Sequence, residues 1–265
     1  MNKEKINECA KKFFELKLNS QSLDELPKHL KPKNIDEAYL IQEELKINYL
    51  NLKDNICIGK KVGCTNKLAQ KQVGINEPFY GNLFSKFSLF NNCTLNPKYF
   101  SNPYIEPEIG FIIKDDINIS KYPFSIKDID YLFKGFICSI EIVDFRFNKP
   151  INKIGIENLI ATNGASDFWI KGKKFYNIKD VNFLDIPVSV FVNGIKKETG
   201  NTNKVLDNPI NSAIWLVNKL CQNGQILLKD NYISTGSCTK AIKLEKESFI
   251  KANFSELENI NFEYK

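Results

Sequence analysis

The sequence is almost without histidine, since His29 is the only one among 265 residues. A single histidine excludes a multi-histidine metal site and argues against Ser–His or Cys–His catalysis. His29 is flanked by prolines, in LPKHLKP, and this context predicts a loop. Acid–base chemistry would then fall to Lys, Glu, Asp, Tyr or water.

The cysteines lack the spacing of a disulfide framework or a zinc ribbon. There are seven, an odd number, and no two of them form a C-x-x-C pair. Several lie in apolar runs, where cysteine behaves as a small hydrophobic residue. Cys64 and Cys238 lie in possible site loops, but the histidine that usually activates a thiol nucleophile is missing.

Long apolar runs, signal-peptide features and phosphate-binding loops are absent as well. No run approaches the length of a membrane span, and the start, MNKEKINECAKKFF, has no apolar stretch followed by a cleavage site. The net charge is +6, but basic and acidic residues are mixed, which gives a nucleic-acid role only weak support. We therefore expect a cytoplasmic protein with no nucleic-acid or membrane partner.

Hydrophobic periodicity predicts helices at the start of the chain. Apolar residues recur at helical spacing over 6–16 and again over 38–45. Asn34 with Glu37 three residues later resembles a capping arrangement for the second helix. We predict a helical N-terminal segment over 1–55.

The pattern after this segment is typical of β structure. Short apolar runs such as IGFII, FICSIEIV and VSVFV are separated by turn residues, and Asn193-Gly194 predicts a hairpin. One helix interrupts the strands, beginning at Pro209 and ending at Gly224. The sequence therefore predicts an α+β chain whose β-rich catalytic domain covers 56–265.

Three acidic residues occur in strand-like segments. Glu106 and Glu108, in YIEPEIGFII, are two apart, so on a strand both carboxylates point to one face. Glutamates at alternate positions usually mark a solvent-exposed strand face. Glu141, in CSIEIVDFRF, instead has almost only apolar neighbours, so it does not belong to a polar strand face. A charge there is costly unless it is paired or bound to a metal. Converging carboxylates repel one another, and a hard divalent cation such as Mg²⁺ resolves that repulsion.

Several segments together resemble one family, the 2-keto-4-pentenoate hydratases and 2-oxo-3-hexenedioate (4-oxalocrotonate) decarboxylases of the fumarylacetoacetate hydrolase superfamily. The resemblance covers nearly the whole chain, and its specificity comes from the order and spacing of the segments. They are IDEAYLIQ, GKKVGCTN, VGINEPFYGNLF, YIEPEIGFII, EIVDFRF, ATNGAS, VLDNPINSAIWLVNKL and TGSCTKA.

The resemblance implies a mixed β-sandwich roll preceded by a helical segment, and a homo-oligomer. It implies one Mg²⁺ or Mn²⁺ held by Glu106, Glu108 and Glu141. Lys61, the second lysine of GKKVG, matches the lysine assigned to acid–base catalysis, although spacing alone favours a surface lysine beside Lys60. A lysine near the cation would have its ammonium form disfavoured, so we expect the pKa of Lys61 to fall.

Further positions follow from the same resemblance. Asp144 and Arg146 match the block after the third carboxylate, where they would either orient Glu141 or form a salt bridge at a strand end. A Thr-Gly pair, otherwise only a turn signal, matches a turn that contacts the carboxylate of the substrate. The implied substrate-binding positions are Phe79, Asn163, Thr235 and Gly236.

The implied activity is that of a lyase on a small 2-oxo or 2-hydroxy-dienoic acid. A 2-oxo acid offers a carboxylate and a keto oxygen to a cation whose charge favours enolisation, and both reactions of the family need that enolisation. Hydration of a short 2-oxo-4-enoate is the first hypothesis. The alternatives are decarboxylation of 2-oxo-3-hexenedioate and a non-catalytic paralogue or partner subunit.

Three positions depart from the family pattern. Phe79 stands where many hydratases carry an Asp, Thr162 replaces the Asp of ADNGA, and Asn208 replaces the His of VLGHP. We expect these three to give a less charged outer pocket, which would prefer a monocarboxylic acid with an apolar tail over a dicarboxylate.

Overall fold

Two long helices open the chain, in a computed structural model that describes residues 1–265. They begin where the sequence supplies a cap, because the side chain of Asn2 accepts from the Lys5 N–H and that of Asn34 from the Glu37 N–H. No helix is both long enough and apolar enough to span a membrane. The α-helices are α1 Lys3–Leu18, α2 Ile35–Leu50, α3 Lys67–Val73, α4 Ile129–Leu132, α5 Ile151–Ile154, α6 Ile156–Ala161 and α7 Pro209–Gln222.

The remaining chain forms two sheets. The larger has the order β2-β1-β10-β5-β6-β7-β3, with β11 also paired to β5, and the smaller has the order β4-β13-β12-β8-β9. Their strands are β1 Cys57–Gly63, β2 Phe79–Phe84, β3 Ser88–Phe90, β4 Cys93–Leu95, β5 Pro103–Ile113, β6 Phe133–Asp144, β7 Ser166–Lys171, β8 Pro187–Val192, β9 Ile195–Asn201, β10 Tyr232–Ser234, β11 Ile242–Lys243, β12 Ser248–Asn253 and β13 Asn259–Tyr264. The predicted α+β class is confirmed.

Local sequence signals match the elements that form. Asn193-Gly194 joins β8 to β9 as the predicted hairpin turn, and α7 begins at Pro209 behind the capping side chain of Asn208. All seven cysteines are free thiols. The short helices α3, α4, α5 and α6 were not predicted, because four to seven residues are too few to show a helical period.

The central strands β5 and β6 are covered on both faces. One face, with Ile105, Ile109 and Phe111, belongs to a hydrophobic core of 39 buried residues. Because side chains alternate along a strand, the opposite face carries Glu106, Glu108 and Glu141. Helices α1 and α2 belong to a second core of 20 buried residues that also contains residues of β2, β6 and α6. The helical segment therefore packs directly against the β-rich part, and the division at residue 55 stays a prediction.

Candidate active site

The structure brings together the three carboxylates that the sequence singled out. Glu106 on β5 lies directly across from Glu141 on β6, and Glu108 lies two residues further along β5 on the same face. One oxygen from each carboxylate lies within 4.8 Å of the others. The convergence depends on the antiparallel register of two strands whose sequences are about 30 residues apart.

These carboxylates fit a divalent cation. Glu108 and Glu141 are fully buried, and Oε1 of Glu108 and both oxygens of Glu141 accept no hydrogen bond. Buried oxygens that accept no hydrogen bond are costly, and hard oxygen donors are the ligands that Mg²⁺ and Mn²⁺ prefer. The three residues would hold such an ion.

The electrostatics of the three carboxylates point the same way. Burial, reinforced by Glu141 and Glu106, raises the pKa of Glu108 well above its usual range. Burial also raises the pKa of Glu106 to about 7, although Lys61 opposes this shift. The protein thus places acids where their ionised forms need a compensating positive charge.

Lys61 lies beside the carboxylates, and its neighbour Lys60 does not. Lys61 on β1 is 2% exposed, and its Nζ forms an ion pair with Oε2 of Glu141 at 3.1 Å. Lys60 points to the opposite face of β1, where its Nζ donates to Oδ1 of Asn82 at 2.7 Å and lies 3.7 Å from Glu43 on α2. The geometry supports Lys61 as the lysine of the site.

The three carboxylates raise the pKa of Lys61. Burial alone would lower it, but Glu141, Glu106 and Glu108 together outweigh burial and raise the pKa above its usual value. The carboxylates therefore favour the ammonium form of Lys61. The decrease expected beside a bound cation stays a prediction.

Ser234 contributes to the site and was missed by sequence reasoning. Its hydroxyl donates to Oε2 of Glu108 at 2.5 Å, and the backbone N–H of Gly236 donates to the same oxygen at 3.0 Å. Ser234 lies on β10, the strand between β1 and β5, in register with Lys61 on one side. A serine before a Thr-Gly turn carries no distinctive signal, so only the sheet order could have identified it.

The Thr235-Gly236 turn is close to the carboxylates, but its two residues behave differently. Gly236 has φ +108°, and a Cβ there would lie 2.2 Å from Oγ1 of Thr65, so both the turn and its close approach require glycine. Thr235 is fully buried, and its hydroxyl donates to the Ile109 carbonyl at 2.8 Å. A contact between this hydroxyl and a substrate stays a prediction.

Of the three positions that depart from the family pattern, Phe79 alone lies beside Lys61. Its buried ring has its centroid 5.8 Å from Nζ of Lys61. The hydroxyl of Thr162 instead bonds to the carbonyls of Asn158 and Leu159 at the end of α6. The side chain of Asn208 caps α7, and the expectation that all three positions shape the pocket stays a prediction.

Asn163 has protein partners for most of its side chain. Its Oδ1 accepts from the backbone N–H of Asn82 at 2.7 Å, and its Nδ2 donates to the Asn82 carbonyl at 3.0 Å. The predicted contact with a substrate is not tested by this geometry, which instead ties Asn163 to β2.

Asp144 and Arg146 form a strand-end salt bridge, the second of the two possibilities left open by the sequence. Arg146 lies 2.8 Å from Asp144 and also pairs with Asp167, which in turn pairs with Lys17 of α1. Asp144 further accepts from backbone N–H groups of the loop before β5. Neither residue has a hydrogen bond or ion pair with Glu141, so the expectation that they orient this carboxylate is corrected. We call Lys17, Asp144, Arg146 and Asp167 the charge quartet.

The two cysteines near the site are poor nucleophiles. Burial raises the pKa of Cys64 to about 12, a shift that Lys61 opposes and Glu106 reinforces. Burial and the nearby Glu108 raise the pKa of Cys238, which is fully buried. Since the thiolate is the reactive form, neither thiol is suited to covalent catalysis.

Comparison with known proteins supports the sequence motifs over the full chain. No protein-family model matches the chain. It is 24% identical over 266 residues to a 4-oxalocrotonate decarboxylase of Pseudomonas putida, covering 98% of this chain and 97% of the relative. It is 21% identical to a 2-keto-4-pentenoate hydratase of Paraburkholderia xenovorans, covering 100% of this chain and 96% of the relative.

A solved structure shares the fold over the same length. The 4-oxalocrotonate decarboxylase from Pseudomonas putida G7, complexed with magnesium and adipate, superposes with a TM-score of 0.93 at 22% identity. The superposition covers 100% of this chain and 99% of that protein. Together these matches confirm the resemblance that the motifs indicated.

Proposed function

We propose that this chain, a homologue of the 2-keto-4-pentenoate hydratases and 4-oxalocrotonate decarboxylases, is a divalent-metal-dependent lyase acting on a small unsaturated 2-oxo acid. The observation that carries the proposal is the cluster of Glu106, Glu108 and Glu141, with buried oxygens that accept no hydrogen bond and a buried lysine beside it. Both named relatives are lyases, and the solved relative was complexed with magnesium.

The residues divide the work between charge and proton transfer. Glu106, Glu108 and Glu141 would hold Mg²⁺ or Mn²⁺, which when bound supplies positive charge that favours an enolised 2-oxo acid. Lys61, protonated and shielded from water, holds a proton at Nζ and delivers it to a substrate carbon as general acid. Gly236 and Thr235 would border the carboxylate end of the substrate.

Hydration is the first candidate reaction. It requires proton transfer at carbon and a water molecule positioned to add to the distal double bond. Lys61 is the one lysine that contacts the carboxylate cluster, so it would have to serve both steps. The full-length match to a 2-keto-4-pentenoate hydratase supports this reading.

Decarboxylation is the second candidate, and Phe79 favours it. The ring of Phe79 lies beside Lys61 and offers no group that could activate water. Loss of CO₂ from a vinylogous β-keto acid needs an electron sink and one proton donor, which the cluster and Lys61 would supply. A full-length 4-oxalocrotonate decarboxylase relative supports this reading equally.

The test is a screen of short 2-hydroxy-dienoates and 2-oxo-3-hexenedioate with Mg²⁺ or Mn²⁺. Loss of dienol absorbance without gas release indicates hydration, and CO₂ release indicates decarboxylation. Glu141→Gln is the matched control, because it removes one carboxylate charge with little change in shape. If the wild-type protein binds the metal and a 2-oxo acid without turnover, the chain is a non-catalytic paralogue or partner subunit.

The same screen addresses substrate charge. If hydration is the reaction, the apolar ring of Phe79 disfavours a second carboxylate, and we propose a preference for 2-hydroxypenta-2,4-dienoate over the dicarboxylate. The decarboxylase alternative requires the opposite preference. A ratio of kcat/KM below one for that pair would show a pocket built for the dicarboxylate.

The setting proposed for this activity is the catabolism of aromatic compounds by a cytoplasmic homo-oligomer. Seven free thiols suit a reducing compartment. The partner is a small 2-oxo acid, with no role for nucleic acid or a membrane. Size-exclusion chromatography with light scattering measures the oligomer.

A further inference from the structure

A strained turn lies between β2 and the side chain of Lys61. The residues Asn163, Gly164 and Ala165 are consecutive and have φ values of 60°, 62° and 58°. Two of them carry a Cβ, for which the left-handed region is unfavourable. Such conformations persist only where the surroundings hold them, and they cluster at functional sites.

The side chain of Asn163 is what holds this turn. Its Oδ1 accepts from the backbone N–H of Asn82 at 2.7 Å and from Nδ2 of Asn82 at 3.1 Å, while its own Nδ2 donates to the Asn82 carbonyl at 3.0 Å. The amide therefore pairs with the edge of β2 as a neighbouring strand would. At Gly81 a Cβ would lie 2.5 Å from the Asn163 carbonyl oxygen, so the turn rests directly on the strand.

The other side of the turn faces Lys61 and Phe79. A Cβ at Gly164 would lie 3.5 Å from Cε of Lys61 and 2.6 Å from Cε2 of Phe79. A single methyl group on Gly164 would therefore reach the last carbon before the ammonium group. A lysine side chain has four rotatable bonds, so a backbone turn this near Cε limits where Nζ can lie.

We propose that Asn163 is a positioning residue for Lys61. Its hydrogen bonds to Asn82 keep the 163–165 turn on β2, and the turn limits the positions that Nζ of Lys61 can take beside the carboxylate cluster. The proposal rests on the proposed function, since it assigns Lys61 a reaction that needs a fixed ammonium group. It gives Asn163 a role that differs from direct contact with the substrate, because its amide is committed to Asn82.

The first test is Asn163→Ala. Because displacement of a catalytic group by about 1 Å can cost on the order of 100-fold in rate, we expect kcat to fall by about 10- to 100-fold. KM, and the affinity for Mg²⁺ and for Mg²⁺ with pyruvate measured by calorimetry, should stay within about twofold. An unchanged kcat with raised KM or weakened pyruvate binding would make Asn163 a substrate ligand and overturn the proposal.

Asn218→Ala is the matched control. Asn218 forms the same pair of bonds with the backbone of Phe124, at 2.8 Å each, and its side chain bonds neither Lys61 nor the carboxylate cluster. It should leave kcat unchanged. If Asn218→Ala lowers kcat equally, then loss of any asparagine side chain that bonds the backbone twice impairs the fold. The positioning role would then be rejected.

A second variant and a spectroscopic measurement keep the proposal independent of turnover. Gly164→Ala adds a methyl group on the side of the turn that faces Lys61 and Phe79. It should lower kcat as Asn163→Ala does. The ¹⁵N resonance of the Lys61 ammonium group, assigned by its loss in Lys61→Met, should shift or broaden in both variants and remain unchanged in Asn218→Ala. If wild-type protein turns over no substrate, the proposed function fails, and this resonance alone decides the role of Asn163. An unchanged resonance in both variants would refute it.

Discussion

Two clusters of buried charge in this molecule have opposite compositions. In the charge quartet, two acids face two bases, and each acid is paired with a base. In the site, three carboxylates face the single ammonium group of Lys61, and three carboxylate oxygens lack a hydrogen bond. Both clusters lie next to β6, so burial alone does not distinguish them.

The difference in balance separates a structural cluster from a binding cluster. Removing charges from water is costly, and a protein offsets that cost by pairing them. The quartet pairs its charges internally and connects α1 to the ends of β6 and β7. The site leaves a negative excess that a divalent cation matches, and the free oxygens are available as its ligands. Breaking each cluster in turn tests this interpretation.

The largest expected effect is on catalysis, in Lys61→Met. Losing a positioned proton-transfer group should lower kcat by about two to four orders of magnitude. Lys60→Met is the matched control, since Lys60 is the adjacent buried lysine on the other face of β1. Steady-state kinetics on the two variants decide the assignment, and a larger loss in Lys60→Met would show that the wrong lysine was chosen.

The second prediction compares one isosteric change in the two clusters. Asp167→Asn leaves Lys17 and Arg146 without their shared partner and should lower the free energy of unfolding by about 3–5 kcal/mol. Glu141→Gln removes the ion-pair partner of Lys61 but leaves Glu106 and Glu108 near the lysine and relieves repulsion among the carboxylates, so it should lower the free energy of unfolding less than Asp167→Asn does, while abolishing Mg²⁺-dependent activity. Denaturant titrations in EDTA measure the free energy of unfolding of both variants, and steady-state assays with Mg²⁺ measure the activity of Glu141→Gln. A large destabilisation by Glu141→Gln would mean that the site is balanced like the quartet.

Ser234→Ala should lower the affinity of the site for a divalent metal ion without abolishing binding. Ser234 bonds Oε2 of Glu108, and loss of a group that orients a ligand typically lowers metal affinity by about 10- to 100-fold. Ser139→Ala is the control, because its hydroxyl bonds the backbone carbonyl of Glu108 and not its carboxylate. Calorimetric titration with Mn²⁺ compares them, and equal affinities would contradict the role of Ser234.

The smallest expected effect is the pH dependence of the metal-free protein. Burial raises the pKa values of Glu106, to about 7, and of Glu108, so the folded state binds more protons there than the unfolded chain does. The stability of the metal-free protein should therefore decrease as pH rises from about 4.5 to about 7.

Mg²⁺ should oppose this decrease, because it binds the ionised carboxylates. We expect the difference in Tm with and without Mg²⁺ to grow by a few degrees from about pH 5 to about pH 8. Thermal scans in EDTA and in Mg²⁺ provide the measurement. A constant difference across this range would show that the two acids titrate normally.

Much of the site could be predicted because its key residues break a local pattern. Glu141 is a charged residue in an apolar strand. Glu106 and Glu108 are two residues apart, so both side chains point to the same face of their strand. Lys61 was harder, because Lys60 is equally basic, and only the opposite directions of the two side chains in β1 separate them. The possibility that Asp144 and Arg146 orient Glu141 failed because they pair with each other and with groups on other elements, namely Asp167 and the loop before β5.

The sequence by itself determined the helix starts at Asn2, Asn34 and Asn208 and the hairpin at Asn193-Gly194. It also determined that Glu106 and Glu108 point to one face of their strand. Capping, turn geometry and strand alternation are local properties of the chain. Tertiary structure alone decided the register that sets Glu106 opposite Glu141 and the placement of β10 that brings Ser234 to Glu108. Strand pairing and side-chain contacts join residues far apart in the chain, and the energy that selects them is released only when the sheet and both cores form together.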